Sequence, residues 1–239
     1  MKQGQFIYLV MFILLLLFFV GGCGKKEDAM RNADSKEAAI ILKIANGKVE
    51  VKVGSDFKDA VKGQTLVAGN IIKVGDEGLA VIEYPGKYEV FVDKNSQVSI
   101  KSIKPSAKKG FFGTVFHLFK GMIFSKVTID TKQGDAYQVE TDHVVAGVHG
   151  TEFLVEVNSE NTETFVYVQE GIVKTRGRGK KGDDKEELIG KFQMTKVKQN
   201  SFPLPSSNYN PITPPFVTFW KKVENKDIKS KGKIHYKKK

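Results

Sequence analysis

The chain has 239 residues, of which 41% are hydrophobic and 27% charged, so it can bury a core and is not disordered throughout. Its length is enough for one domain, or for one domain with tails. The formal net charge is +11, and the single cysteine excludes both an intramolecular disulfide and a thiolate metal cluster.

Residues 1–22 have the layout of a secretory signal peptide. Lys2 precedes an unbroken apolar run from Phe6 to Val20, and small residues follow, ending at Gly22. A membrane-spanning helix needs about 20 apolar residues, so this run is short for an anchor. We predict cleavage between Gly22 and Cys23, with an uncleaved membrane anchor as the alternative.

Val20-Gly21-Gly22-Cys23 resembles the lipobox of bacterial lipoproteins, although Val20 stands where leucine is more common. In those proteins a lipid is joined to the cysteine thiol, and a peptidase cuts just before it. The resemblance implies a lipid on Cys23 that holds the mature chain on the cell membrane or outer membrane, outside the cytoplasm. Residues 23–37 are then predicted to be a lipidated tether, because they are polar and lack an apolar period.

Residues 38–200 consist of short apolar-rich segments separated by turn residues. Asn46-Gly47 lies between Ile40–Ile44 and Lys48–Val53, and an Asn-Gly pair in this setting predicts a β-hairpin. Pro85-Gly86 predicts a further turn, between Leu79–Tyr84 and Tyr88–Val92. The remaining predicted strands are Ile71–Val74, Val98–Ile103, Val115–Phe119, Met122–Ile129, Tyr137–Thr141, Glu152–Val157, Thr164–Val168, Ile172–Thr175 and Phe192–Val197. Strands at this spacing predict an all-β fold, an antiparallel β-sandwich or β-roll.

Two polar segments interrupt or follow this series. Arg176–Lys185 is rich in glycine and charge and is predicted to be a flexible hairpin tip. Residues 201–239 form a proline-containing, Lys-rich tail. Its last part, Lys221–Lys239, holds nine lysines against Glu224 and Asp227, which is +7 of the total charge. The tail is predicted either to be solvated or to contact an anionic lipid surface or envelope polymer.

Several turn-and-strand pieces follow one another in a specific order between Ala38 and Val173. They include Gly47–Val51, Gly69–Lys73 and, further on, Val148-His149-Gly150-Thr151-Glu152-Phe153. In this order they resemble the FecR domain, the periplasmic domain of ferric-citrate-type signal transducers. His149 replaces the arginine that is usual in that family, and Asn70 replaces an aspartate. The resemblance implies a β-rich, non-enzymatic sensing or interaction domain, and it carries over no catalytic residue.

The stretch from Val148 to Phe153 has two interpretations. Gly147 and Gly150 predict a bend with close backbone approach or positive φ, which would make the stretch a structural corner. The alternation after it places Thr151 and Phe153 on one face of a strand and Glu152 on the other. The alternative is that the stretch is an interaction site.

No catalytic or cofactor-binding pattern is present. His143 and His149, with Asp142 or Glu152, are conceivable metal ligands, but they lack a recognised ligand spacing, so we predict no metal site. No serine lies in a Gly-x-Ser-x-Gly elbow, so nucleophilic catalysis has no local support. A dense set of aromatic residues is predicted to be core rather than a contact surface, namely Phe111, Phe112, Phe116, Phe119 and Phe124.

The main functional prediction is a membrane-anchored lipoprotein whose FecR-like domain acts as a binding, sensing or scaffolding module in the cell envelope. Its expected partners are membrane lipid through Cys23 and an envelope protein, anionic polymer or lipid surface. Nucleic acid is excluded because the chain is expected to be exported. The first alternative is a transmembrane signal transducer that regulates a sigma factor, disfavoured because few residues precede Phe6. An envelope enzyme acting on polysaccharide is the second alternative.

Overall fold

The computed structural model describes residues 40–105, 112–129, 136–148, 150–178 and 185–210. Within these ranges the chain forms 17 β-strands and no helix, which confirms the predicted all-β class. The described part therefore contains no helix suited to crossing a membrane. The strands are β1 (Ile40–Asn46), β2 (Val49–Val53), β3 (Asp56–Asp59), β4 (Thr65–Leu66), β5 (Ile71–Val74), β6 (Leu79–Tyr84), β7 (Tyr88–Val92), β8 (Gln97–Pro105), β9 (Phe112–Val127), β10 (Ala136–Glu140), β11 (Val144–Val148), β12 (Glu152–Val157), β13 (Glu163–Glu170), β14 (Val173–Gly177), β15 (Glu186–Ile189), β16 (Gln193–Lys198) and β17 (Ser207–Asn208).

The strands form two sheets that share β9. Sheet A has the order β4-β1-β6-β7-β9-β12-β13-β16-β17. Sheet B has the order β3-β2-β5-β8-β9-β10-β11-β14-β15. Neighbouring strands are antiparallel except for β9 and β10, which are parallel. The predicted antiparallel arrangement is thus correct for all but this pair.

The long strand β9 passes from one sheet to the other at Gly121. Its first half pairs with β8 and β10 in sheet B, and its second half pairs with β7 and β12 in sheet A. Gly121 has φ +86°, and a Cβ there would lie 2.2 Å from Ser96 Oγ. Ser96 Oγ also accepts the N–H of Met122 at 2.9 Å. The two strands predicted on either side of Gly121 are therefore one bent strand.

The core lies between the two sheets and contains alternate residues of nearly every strand. At its centre, Tyr88 and Phe153 from sheet A meet Phe116 and Tyr137 from sheet B, with ring centroids 5.0 to 6.2 Å apart. The hydroxyl of Tyr137 lies 2.8 Å from Ser125 Oγ, so this buried polar group is satisfied. These contacts join the sheets into one core.

The predicted hairpin at Asn46-Gly47 is wrong. Strand β1 pairs with β4 and β6 in sheet A, whereas β2 pairs with β3 and β5 in sheet B. The turn therefore carries the chain between sheets rather than back along the same sheet. Gly47 has φ +67°, and a Cβ there would lie 2.8 Å from the carbonyl oxygen of Glu77. Glycine is needed for this crossing as much as for a tight hairpin. By contrast, Pro85-Gly86 does join a hairpin, in which Tyr84 is opposite Tyr88.

Candidate interaction site

A row of ionisable side chains, most of them charged, crosses the outer face of sheet B near the turn between β10 and β11. We call it the charged row; it consists of Lys101, His117, Glu140, Asp142 and Arg178. Its geometry follows from the pairing of β9 with β10, which places His117 directly beside Glu140. Both residues lie on the side of the sheet opposite the core, because their neighbours Phe116 and Val139 are fully buried.

Glu140 is the centre of the charged row. Its Oε2 accepts a hydrogen bond from Lys101 Nζ at 2.6 Å and one from Arg178 Nη2 at 2.5 Å. Burial favours the neutral acid, but the hydrogen bonds and charges of Lys101 and Arg178 outweigh it and lower the pKa of Glu140. The carboxylate is therefore ionised at neutral pH and holds two cations from distant parts of the chain.

His117 and Asp142 form the second pair of the charged row. His117 Nε2 lies 3.3 Å from Asp142 Oδ1, and the His117 ring centroid is 4.6 Å from that of Phe119. Partial burial lowers the pKa of His117; Asp142 opposes this effect, and Arg178 adds to it. Because the pKa falls below the ordinary value of 6.5, His117 is neutral at pH 7.

Beneath the charged row, the turn from β10 to β11 is fixed by a buried hydroxyl network. Thr164 Oγ1 lies 2.9 Å from Thr141 Oγ1 and 2.9 Å from His143 Nδ1. Thr141 Oγ1 also accepts the N–H groups of His143 and Val144, each at 3.1 Å. His143 is 1% exposed, and its Nε2 has no hydrogen-bond partner among the described residues. The backbone that presents Asp142 is consequently held in one conformation.

The two histidines considered as metal ligands are not brought together by any described geometry. His143 is buried in the hydroxyl network, and His149 lies outside the described residues. No group of three histidine, cysteine, aspartate or glutamate side chains suited to a metal ion occurs within the described ranges.

The stretch from Val148 to Phe153 runs from the end of β11 into β12. Val148, Thr151 and Phe153 are at most 2% exposed, and Glu152 is partly exposed. Gly150 has φ +60°, as its predicted role in a bend requires. Gly147 does not: it lies within β11, and a Cβ there would make only an ordinary contact, 3.9 Å from Gln138 Cγ. The prediction for Gly147 is wrong because a glycine inside a regular strand looks the same in the sequence as one in a bend.

The turn between β13 and β14 packs directly against this corner. Thr151 Oγ1 donates a hydrogen bond to the carbonyl oxygen of Ile172 at 3.3 Å. Gly171 has φ +84°, and a Cβ there would lie 2.7 Å from the carbonyl oxygen of Gly150. The close approach of two backbone segments explains glycine at position 171.

Other predicted residues are distributed as follows. Gly22 and Cys23, with the predicted cleavage and lipid attachment, lie outside the described residues, as does most of the Lys-rich tail. Phe116 and Phe124 are fully buried, Phe119 is partly exposed, and nothing is described for the side chains of Phe111 and Phe112. No sequence pattern singles out Lys101, Glu140 or Arg178. Their signal is weak, since each is one charged residue at an outward position of a strand or beside its end.

Residues 70–174 match the family model described as FecR protein, which confirms the predicted resemblance over this range. Two crystal structures of a proposed anti-sigma factor from Parabacteroides distasonis ATCC 8503 are similar to part of the chain. Each is 18% identical, with a TM-score of 0.48, and the match covers 63% of this chain and 63% of that protein. The chain thus spans less than two thirds of the length of these solved proteins. No curated protein sequence matches the chain.

Proposed function

We propose that the chain, whose residues 70–174 match the FecR family model, is a regulatory protein of the bacterial cell envelope. In this proposal the domain receives a signal by contact with another protein and passes it on, as signal transducers of the FecR type do. The family match is the observation that carries the proposal. The sigma-factor-regulating role, the first alternative predicted from the sequence, is the form of regulation that this family favours.

We further propose the charged row as the contact surface. Lys101, Asp142 and Arg178 are exposed, while Glu140 and the hydroxyl network beneath hold them in place. A partner that meets this surface loses little side-chain entropy on binding, because the cations are already ordered by Glu140. Arginine and an aromatic neighbour such as Phe119 are also residue types enriched at protein interfaces.

The test is a charge exchange that preserves both internal ion pairs but alters the surface. Glu140→Arg combined with Lys101→Glu and Arg178→Glu keeps opposite charges in contact in both pairs, and the melting temperature is expected to stay near that of the native protein. Deleting the gene and exchanging the charges are expected to change transcript levels of the same set of genes. Glu160→Arg, on an exposed turn, is the control that leaves transcripts unchanged. Unaltered transcripts after gene deletion would overturn the regulatory role.

A second candidate function is a static lipoprotein scaffold, favoured by the lipobox-like Val20-Gly21-Gly22-Cys23. Lipid anchoring at Cys23 is compatible with either function and is tested separately. We expect the intact mass of membrane-purified protein to correspond to a chain that starts at a lipidated Cys23. We also expect Cys23→Ser to release the domain from membranes. Retention of residues 1–22 would contradict lipid anchoring.

A further inference from the structure

The charged row contains one histidine, His117, and histidine is the side chain that changes its charge closest to neutral pH. The rest of the row consists of two cations and two carboxylates, namely Lys101, Arg178, Glu140 and Asp142. While His117 is neutral, the positive and negative charges are therefore equal in number. Protonation of His117 gives the same surface a net positive charge.

The two carboxylates of the charged row are engaged differently. Glu140 accepts hydrogen bonds from both cations, so its charge is compensated within the row. The side chain of Asp142 is 52% exposed, and within the described ranges His117 is the only basic side chain within ion-pair distance of it. The charge that Asp142 presents to solvent consequently depends on the protonation of His117.

The contact between His117 and Asp142 has the geometry of a hydrogen bond that protonation would strengthen. His117 Nε2 lies 3.3 Å from Asp142 Oδ1. In the protonated ring both nitrogens carry hydrogen, so Nε2 necessarily donates. Hydrogen bonds between a charged nitrogen and a carboxylate are about 2.7–2.9 Å long. Protonation is therefore expected to draw the Asp142 carboxylate towards His117.

The groups that face His117 come from every element packed against it. They are Lys101 on β8, Glu140 on β10, Asp142 in the turn after β10, Arg178 just after β14, and Phe119 on β9 itself. The carboxylates and the aromatic ring favour the protonated form, whereas burial and the two cations oppose it. Burial has the largest effect, so the pKa of His117 lies below 6.5.

Asp142 also connects the charged row to sheet A. Its Oδ2 accepts a hydrogen bond from Asn161 Nδ2 at 3.2 Å, in the turn between β12 and β13. That turn is itself held in place, because Asn158 Oδ1 accepts the N–H groups of the two residues after Asn161 at 2.8 and 3.1 Å. Movement of Asp142 towards His117 therefore alters a hydrogen bond to a fixed neighbour.

We propose that protonation of His117 regulates the charged row by switching it between two charge states. In the neutral state Asp142 is an exposed anion that pairs with a cationic group of the partner protein. In acid, His117 neutralises Asp142, and the net positive surface repels that group, so the partner is released. This inference rests on the proposed function, and it adds to it both the regulation and one chemical feature of the partner.

NMR of the purified full-length protein tests the switch without a partner. Between pH 7.5 and 5.0, the side-chain amide signal of Asn161 is expected to shift with the same midpoint as the ring signals of His117. His117→Gln cannot be protonated and is expected to abolish this shift. Its melting temperature at pH 7.5 is expected to stay near that of the native protein, which shows that the variant is folded.

Two NMR results would overturn the switch. The first is an Asn161 signal that does not move in the native protein, since Asp142 would then not respond to His117. The second is a shift of Asn161 that persists in His117→Gln. That result would assign the response to another group, such as His143 in the same turn.

The effect on the contact is tested with the genes whose transcripts change when the gene for this protein is deleted. In the native strain, this set is expected to change between media at pH 7.5 and pH 5.5. His117→Gln is expected to remove the response, and His117→Arg, with its fixed charge, to give the acid pattern at pH 7.5. Glu77→Gln is the matched control, because it raises the net charge by one on an exposed turn, and it should behave like the native protein.

The regulation would be overturned by a His117→Gln strain that responds to acid as the native strain does. It would equally be overturned by a His117→Arg strain that matches the native strain at pH 7.5. If gene deletion changes no transcripts, the proposed function fails instead. The NMR comparison still decides whether the switch exists in that case, because it requires no partner.

Discussion

At the scale of single residues, His117 and Glu140 respond to acid in different pH ranges. Burial lowers the pKa of His117 from 6.5 in the folded chain. As the pH falls, the unfolded chain therefore protonates this histidine before the folded chain does. Stability is therefore retained above pH 6.5 and falls as the pH drops below that value. The pKa of Glu140 is lowered from 4.5, so its contribution is present above pH 4.5 and is lost as the pH falls through the folded pKa.

This dependence of stability on the protonation of His117 predicts that two substitutions in the charged row change the pH dependence of stability in opposite directions. His117→Gln removes the group that must be protonated, so the free energy of unfolding is expected to depend less on pH between about 7.5 and 5.5. Asp142→Asn removes the anion that raises the pKa of His117, so the same dependence is expected to become steeper. Urea unfolding at several pH values measures both. Equal slopes in the two variants would contradict the assignment.

At the scale of elements, the bend in β9 decides how the sandwich is assembled. One strand contributes to both sheets because the chain turns at Gly121, where backbone and Ser96 leave no room for a side chain. The bend also gives β9 its parallel neighbour β10 in sheet B and its antiparallel neighbours β7 and β12 in sheet A.

Gly121→Ala is predicted to destabilise the fold by about 2–5 kcal/mol, the sum of a positive-φ cost of about 1–2 and an overpacking cost of about 1–3. Gly69→Ala is the matched control, because Gly69 has a similar φ of +92° but no atom within 4 Å of the added Cβ. It should cost only about 1–2 kcal/mol. Chemical denaturation compares the two. If Gly121→Ala lowers the free energy of unfolding no more than Gly69→Ala does, Ser96 can move aside to make room for the added Cβ.

At the scale of the whole molecule, the aromatic cluster joins the two sheets, so we expect them to unfold as a single cooperative unit. Tyr137 in sheet B contacts the rings of Tyr88 and Phe153 in sheet A, as well as Phe116 in its own sheet. The backbone also connects the two sheets directly, because the single strand β9 belongs to both.

Tyr137→Ala is therefore predicted to lower stability by about 3–5 kcal/mol and to reduce protection in both sheets alike. Hydrogen exchange tests this when it is measured on the paired strands β6 and β7 of sheet A and on the paired strands β11 and β14 of sheet B. Tyr137→Phe keeps the ring and removes only the hydroxyl contact with Ser125, so it should cost about 1 kcal/mol. Loss of protection confined to sheet B would mean that the sheets unfold separately.

The sequence alone was enough to predict the all-β class, because period-two alternation and turn residues act locally. At the start of β12 it predicted correctly that Phe153 and the preceding Thr151 lie on the face opposite Glu152. It did not predict β11 or the short strands β3, β4, β15 and β17. Short edge strands, and the short strand β11 that contains Gly147, give little periodic signal.

Which sheet each strand joins was decided only by tertiary structure. A hairpin and a crossing between sheets both need a glycine turn flanked by alternating strands, so Asn46-Gly47 is compatible with both. Packing of β1 on β6 and of β2 on β5 resolves the choice.

In the candidate site, too, some features follow from local sequence and others only from tertiary structure. Cys23 and the signal-like segment are continuous in the chain, so the anchoring prediction needed only local sequence. Glu140 and its partners Lys101 and Arg178 are 39 and 38 residues apart in the sequence, and only the pairing of strands brings their charges together. Ion pairs depend on distances of a few ångströms, and register between distant strands sets those distances.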